Sequence, residues 1–302
     1  MRKIYFPDTV DILNPCRDAV FKLLFGGNSP QSNFALGSLV SAFIGRKTRV
    51  LKVVANEPPV FNPADRQIRY DVACTLEDGE PANLEMTLCP RNSEAARMEY
   101  HIARLYVNQD IRGAKKGYGD LKQAYQISFF AEENFFRDEE MTHHFKYYDE
   151  RCGTSLGGRT EIIAVELKKA GAFLGKAVGE MSHSEQWALF FRYGPDREKR
   201  SLINEILSAE EGIAVAGTEL LTVSEDERRR AWLMSAEKYE LDVMTEKYEA
   251  RCAGMAEGRV KGLAEGRAEG YKEAEAEYQE RIRQVEEQNR WLKEELRRLD
   301  GG

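Results

Sequence analysis

Two carboxylates sit where strand-like patterns would bring them together. Asp71 lies in RYDVACTL (69–76), and Glu85 lies in PANLEMTL (81–88), two residues before Thr87, with the turn-forming EDGE between the two runs. Side chains alternate across a strand, so Tyr70, Val72, Cys74 and Leu76 should share one face and leave Asp71 on the other. By the same alternation Ala82, Leu84, Met86 and Leu88 share a face, with Asn83, Glu85 and Thr87 opposite. A hairpin closed through EDGE would place Asp71 and Glu85 on the same side of adjacent strands. Two carboxylates, a backbone carbonyl and water make an oxygen set that a hard dication such as Mg²⁺ accepts. Such an ion lowers the pKa of bound water and stabilises charge on a phosphoryl oxygen, the core of metal-assisted phosphodiester hydrolysis. The pattern alone also describes a hairpin with solvent-facing acids, which is the commoner case.

Other reactive side chains give less. His143 and His144 are adjacent and would point to opposite faces of a strand, so they would not share a metal. His101 falls on a long helical pattern and could approach the carboxylates, although a lone histidine on a mixed face is more often structural or solvated. The five cysteines, Cys16, Cys74, Cys89, Cys152 and Cys252, are odd in number and scattered, which fits reduced thiols rather than a disulfide framework or a zinc site. No Gly-rich, Lys-ending phosphate loop is present, so no nucleotide cofactor is expected. The net charge of −7 argues against coating nucleic acid by bulk electrostatics but leaves room for a local basic groove. Basic residues gather in RQIR, in RLYVNQDIRGAKKGYGDLK and in RRRAW, each of which more often marks a solvated face. Neither a secretory leader nor an apolar run of membrane-spanning length appears, and the expected location is the cytoplasm.

The elements that must position these residues follow from periodicity. CRDAVFKLLFGG and FALGSLVSAFIG predict two short helices within 16–46, split by GGNSPQSN. Three strand patterns follow, TRVLKVVANEPPVF, RQIRYDVACTL and PANLEMTL. A long helix should run from an N-cap at Ser93 to Gly113, with Ala96, Tyr100, Ala103, Leu105 and Val107 supplying much of its apolar face. QAYQISFFA, HHFKYYDE and TEIIAVELKK read as further strands, the last apolar enough to be buried. The fold class is α/β with a mixed sheet. Residues 1–175 would form the main domain, 176–250 a helical subdomain in which SEDE (224–227) has capping-box form, and 251–302 a helical tail.

In that tail Gly254, Gly258, Gly262, Gly266 and Gly270 recur every fourth residue among charges that rule out a membrane span. Ile282, Val285, Asn289, Leu292, Leu296 and Leu299 then alternate spacings of three and four, with Arg281 and Glu286 at flanking positions. The pattern predicts a short parallel coiled coil and a homodimer; a single amphipathic helix lying back on its own protein is the alternative.

The ordered combination of DAVFKLLFG, RYDV, NLEM, RMEYHIARLYVNQDIRGAKKGYGDLKQAYQISF, TEIIAVELKK, WALFFRYG and the glycine-punctuated tail resembles the recombination-promoting nucleases of the PD-(D/E)XK nuclease superfamily, over nearly the whole chain. The resemblance implies a restriction-endonuclease-like αβββαβ core and Mg²⁺-dependent (or Mn²⁺-dependent) cleavage of DNA. It implies Asp71 and Glu85 as metal ligands, Asp18 as a further acidic member, Arg97 as a cation facing the site, and Lys22 as the lysine of the family's opening Phe-Lys pair. Helix capping for Asp18 and a surface charge for Lys22 are equally good readings of the residues alone. Thr87 departs from the pattern, because the superfamily has Lys there and this branch often Gln. Lysine can orient the attacking water and balance developing charge, whereas threonine is short and stiff. Arg97 is the first candidate for a migrated cation, with Lys115 and Lys116 behind it, while Thr87 could hold a metal-bound water. Two functions follow: a metal-dependent DNA endonuclease, or a catalytically impaired derivative that binds DNA or protein and assembles through its C-terminal helix.

Overall fold

The computed structural model describes residues 4–54, 69–111 and 116–299. The first part of RQIR, Lys115 and Gly113 lie outside these residues. Both opening helices form as their apolar spacing predicts, α1 over Asp18–Phe25 and α2 over Pro30–Ile44. Ser29 caps α2 by accepting from the Ser32 amide at 3.0 Å, Pro30 occupies the first turn, and Gly45 ends the helix at φ +73°.

Strands β1 (Val50–Val53), β2 (Val72–Leu76) and β3 (Pro81–Thr87) follow, then helix α3 (Glu94–Val107) and strands β4 (Ala124–Phe130), β5 (Thr142–Phe145) and β6 (Thr160–Glu166). The sheet order is β1-β2-β3-β4-β6-β5. β2 pairs antiparallel with both β1 and β3, β3–β4 and β4–β6 are parallel, and β5 closes the far edge antiparallel to β6. This mixed sheet with flanking helices agrees with the α/β architecture expected from the sequence. The EDGE turn makes the β2–β3 hairpin, and Gly79 at φ +83° takes a backbone conformation that other residues adopt only with strain.

The two sheet faces differ in chemistry. One carries Val72, Cys74, Leu84, Ile127, Phe129, Ile163 and Val165, all buried against α1, α2 and later helices. Phe129 sits 6.2 Å from Phe21 and 5.1 Å from Phe43, centroid to centroid, so truncating it to alanine should cost about 3–5 kcal/mol. The other face lies under α3, whose inward residues are Glu94, Met98, His101, Ile102 and Leu105. That stripe corrects the expected apolar face: Tyr100 and Val107 are exposed, as are Ala96 and Ala103. The inward set has helical spacing, but two of its members are polar, so a reading by hydrophobicity passed over it. Ser93 is the N-cap residue by position, yet its side chain makes no capping bond, and α3 ends at Val107, before Gly113.

Helices α4 (His183–Tyr193), α5 (Arg200–Ala209) and α6 (Glu211–Glu225) pack into the same core as the sheet, with Trp187 of α4 5.9 Å from Phe25 and donating to Ser38 Oγ at 3.2 Å. Helix α7 covers Glu227–Leu299. Its cap is not the expected SEDE serine: Ser224 is buried inside α6, donating to the Leu220 carbonyl, while Asp226 Oδ1 accepts from the Arg228 and Arg229 amides at 3.0 Å. The chain divides into two compact units, residues 1–237 and 238–302. In the second, Ile282, Val285 and Leu292 are exposed along the helix. No helix among the described residues is long and apolar enough to cross a membrane.

Candidate functional site

The β2–β3 register sets the site. Val72 is opposite Leu84, so the next step outward sets Asp71 against Glu85. Asp71 occupies a bend just before β2 rather than a strand position. The bend also corrects the placement of Tyr70, which turns away from Val72 and packs with Ile102 and Leu105 of α3. Asp71 is 9% exposed; its Oδ2 accepts from the Met86 amide at 3.1 Å and its Oδ1 lies 3.1 Å from Lys22 Nζ. Lys22 also holds Asp18 Oδ1 at 2.7 Å, an i to i+4 pair on α1. Of the two readings open for these α1 residues, the structure therefore places both beside Asp71.

Glu85 is more tightly held. It is 3% exposed, its Oε2 is ion-paired with Arg97 of α3, and its Oε1 accepts from Asn83 Nδ2 at 3.1 Å and lies 3.0 Å from His101 Nδ1. Arg97 reaches Glu94 Oε1 as well, at 3.2 Å. Behind Glu85 a buried polar row continues across the sheet, from Asn83 Nδ2 to Gln126 Oε1 at 2.8 Å and from Gln126 Nε2 to Ser128 Oγ at 3.1 Å. Parallel pairing explains it, because Asn83 is opposite Gln126 and Glu85 opposite Ser128. Asn83, Glu94, His101, Gln126 and Ser128 are the members that sequence reasoning did not assign to the site. Alternation in QAYQISFF marks Gln126 and Ser128 as one face of a strand, and this was the signal available.

The two carboxylates differ electrostatically. Burial and the charge of Glu85 push Asp71 up to about 7. Burial pushes Glu85 up too, but the His101 hydrogen bond and the Arg97 charge outweigh it and hold the carboxyl below its usual value. The groups joined by these contacts comprise four carboxylates, Asp18, Asp71, Glu85 and Glu94, against two fixed cations, Lys22 and Arg97. With all four ionised the set carries two negative charges in excess, and the raised proton affinity of Asp71 lets a proton take up part of one near neutral pH. An oxygen-rich, buried, doubly negative set of this kind fits a hard dication.

Thr87 lies on the same face as Glu85, half-buried beside Phe130, with its carbonyl accepting from the Ala131 amide at 2.9 Å. Lys116 is engaged with Asp110 at 2.8 Å. The structure thus brings Asp18, Lys22, Asp71, Glu85 and Arg97 together, with a cation on each of Asp71 and Glu85. No curated protein and no solved structure matches the chain. A family model described as PD-(D/E)XK nuclease family transposase matches residues 15–250, most of the chain and every residue of the site, and the protein belongs to that family.

Proposed function

We propose that the protein is a divalent-metal-dependent DNA endonuclease whose ion, Mg²⁺ or Mn²⁺, is held by Asp71 and Glu85. The observation that carries this reading is the pair of buried carboxylates, Asp71 and Glu85, set opposite each other across the hairpin, with burial and the charge of Glu85 raising the proton affinity of Asp71. When bound, the ion would supply an activated water and stabilise charge on the phosphoryl oxygen. Asn83 and His101 orient Glu85 through Oε1, and the Met86 amide orients Asp71. Lys22 and Arg97 stand in for the missing lysine at position 87: their side chains are 36% and 41% exposed, so each can turn from its carboxylate toward a DNA phosphate. Asp18 keeps Lys22 close to Asp71, and Thr87 offers a hydroxyl for an ordered water. Purified protein with Mg²⁺ or Mn²⁺ should nick or cut DNA, and Asp71→Ala should abolish it; cutting that persists in that variant would remove the assignment.

The exposed apolar seam of α7 supports a second element of the proposal, a parallel homodimer through Ile282, Val285, Asn289 and Leu292, placing two centres on one duplex. Sedimentation should show a dimer that Val285→Glu dissociates. Thr87 favours the rival reading, a nuclease-derived scaffold, which absence of both metal binding by calorimetry and cleavage of single- and double-stranded DNA would establish. The thiols, all free, suit the cytoplasm.

A further inference from the structure

A second ligand set lies on the α3 face of the sheet. Thr87, Phe130 and Glu166 are paired in one row across β3, β4 and β6, so Glu166 sits two strand spacings, about 10 Å, from Thr87. Glu166 is fully buried at the end of β6, and its Oε1 accepts from the Phe135 and Phe136 amides. Its Oε2 and Asp138 Oδ1 each lie 3.4 Å from His143 Nε2. That spacing is long for hydrogen bonds, and His143 Nε2 makes none, while Glu166 Oε2 carries the ion pair with Lys169. It matches the edge of a tetrahedron of ligands about 2.1 Å from a central ion, roughly 3.4 Å. The Phe136 ring, 4.2 Å from the imidazole, holds its orientation. Lys169 sits against the same oxygens, ion-paired with Glu166 and 3.2 Å from Asp138 Oδ1, and it also donates to the Glu140 carbonyl at 2.9 Å.

We propose that Asp138, His143 and Glu166 form a separate transition-metal site, selective for Zn²⁺ over Mg²⁺, that ties the β4–β5 connection to the end of β6. An imidazole nitrogen in the donor set favours a borderline ion over a hard one. The backbone amides on Glu166 Oε1 fix the other oxygen as ligand, as supporting hydrogen bonds do in metal sites. At about 10 Å from Thr87 the ion is too far to join a two-metal centre, whose ions sit about 4 Å apart, so its role is structural. Lys169 is its competitor: the ammonium offsets one of the two carboxylate charges without the ion and retains the Glu140 carbonyl once displaced.

The test is a Zn²⁺ titration of the chelator-treated full-length protein against a chromophoric chelator. Wild type and Glu85→Gln should each bind one Zn²⁺ at this site, and His143→Ala and Asp138→Asn should weaken it at least tenfold. Lys169→Met should tighten it. Co²⁺ should give the visible absorption of a tetrahedral complex in wild type and lose it in His143→Ala. Zn²⁺ at a hundredfold excess over Kd should raise the melting temperature by about 5 °C. Should His143→Ala fail to fold, His143→Gln replaces it. Unchanged affinity in the histidine variant, loss of the site with Glu85→Gln, or no uptake by wild type would each overturn the proposal.

Discussion

The Asp71–Glu85 site and the Asp138–His143–Glu166 cluster share a sheet face and both bury a glutamate, yet they treat their cations differently. Lys22 and Arg97, the cations of the first, have side chains 36% and 41% exposed, whereas Lys169 in the second is 6% exposed. Glu85 is held on Oε1 by side chains, Asn83 and His101, while Glu166 Oε1 is held by two backbone amides. A cation at the rim can leave for an incoming phosphate once a metal ion takes over the charge of its carboxylate, since Asp71 and Glu85 are themselves buried. A cation under cover is committed to the fold, since removing its partner strands a charge. The site poised for substrate is therefore the one whose cations stand at the rim.

The largest expected effect separates the two by activity. Asp71→Ala should lower metal-dependent DNA cleavage about a thousandfold, near 4 kcal/mol of transition-state stabilisation. Asp138→Asn should stay within about threefold, as befits a residue in a separate contact network. A plasmid-nicking time course measures both, and equal losses would erase the distinction between the sites. Stability should invert the order. Glu166→Gln leaves Lys169 without its buried partner and should cost about 3 kcal/mol in urea unfolding.

Removing the charge of Asp71 should do the opposite to the metal-free protein. Its carboxyl is raised to about 7 in the folded state, above the ordinary 3.8. A raised carboxyl favours folding while protonated, so its contribution is complete below pH 3.8 and disappears as pH climbs through 7. Asp71→Asn should then stabilise chelator-treated protein at pH 8 by about 2 kcal/mol and leave it unchanged at pH 4. The gain falls short of the roughly 4 kcal/mol of the full shift because a buried asparagine amide must itself be desolvated. Thermal melts at the two pH values measure it, and a variant no more stable at pH 8 than wild type would show that Lys22 already balances the site.

The legible parts of the site were those written in strand alternation. That rule expected Asp71, Glu85 and Thr87 on one side of a hairpin from RYDV and NLEM alone; the hairpin formed, with Asp71 in a bend just before β2 and Tyr70 departing from the alternation. Lys22 and Asp18 came from resemblance, since no local pattern tells a helix where its charged face will dock. The Glu166 cluster escaped because its members come from a loop, β5 and β6, and only the β5–β6 register brings them together. His143 and His144 were rightly sent to opposite faces, yet which carboxylates awaited them, Glu166 and Asp138 for one and Glu161 for the other, was a matter of tertiary contact. The inward face of α3 was misjudged for a related reason: Glu94 and His101 look solvent-bound by type and are buried because Arg97 and Glu85 compensate them.

Position 87 gives the smallest effect and the sharpest test of how the site is charged. If a cation at Thr87 were the limiting element, Thr87→Lys should restore activity by orders of magnitude. The geometry argues for less. Lys22 and Arg97 already stand on Asp71 and Glu85, so a third cation would find the leftover charge reserved for the metal and would compete with it. Thr87→Lys should raise kcat by about tenfold at saturating Mg²⁺, through an added donor near the reacting phosphate, while weakening metal affinity by a similar factor. Thr87→Gln, which adds hydrogen bonding without charge, should raise kcat less and leave metal affinity as it is. Cleavage measured across a Mg²⁺ titration separates the two variants, and a lysine that raised kcat without shifting the Mg²⁺ midpoint would mean that Lys22 and Arg97 had already left the carboxylates when DNA was bound.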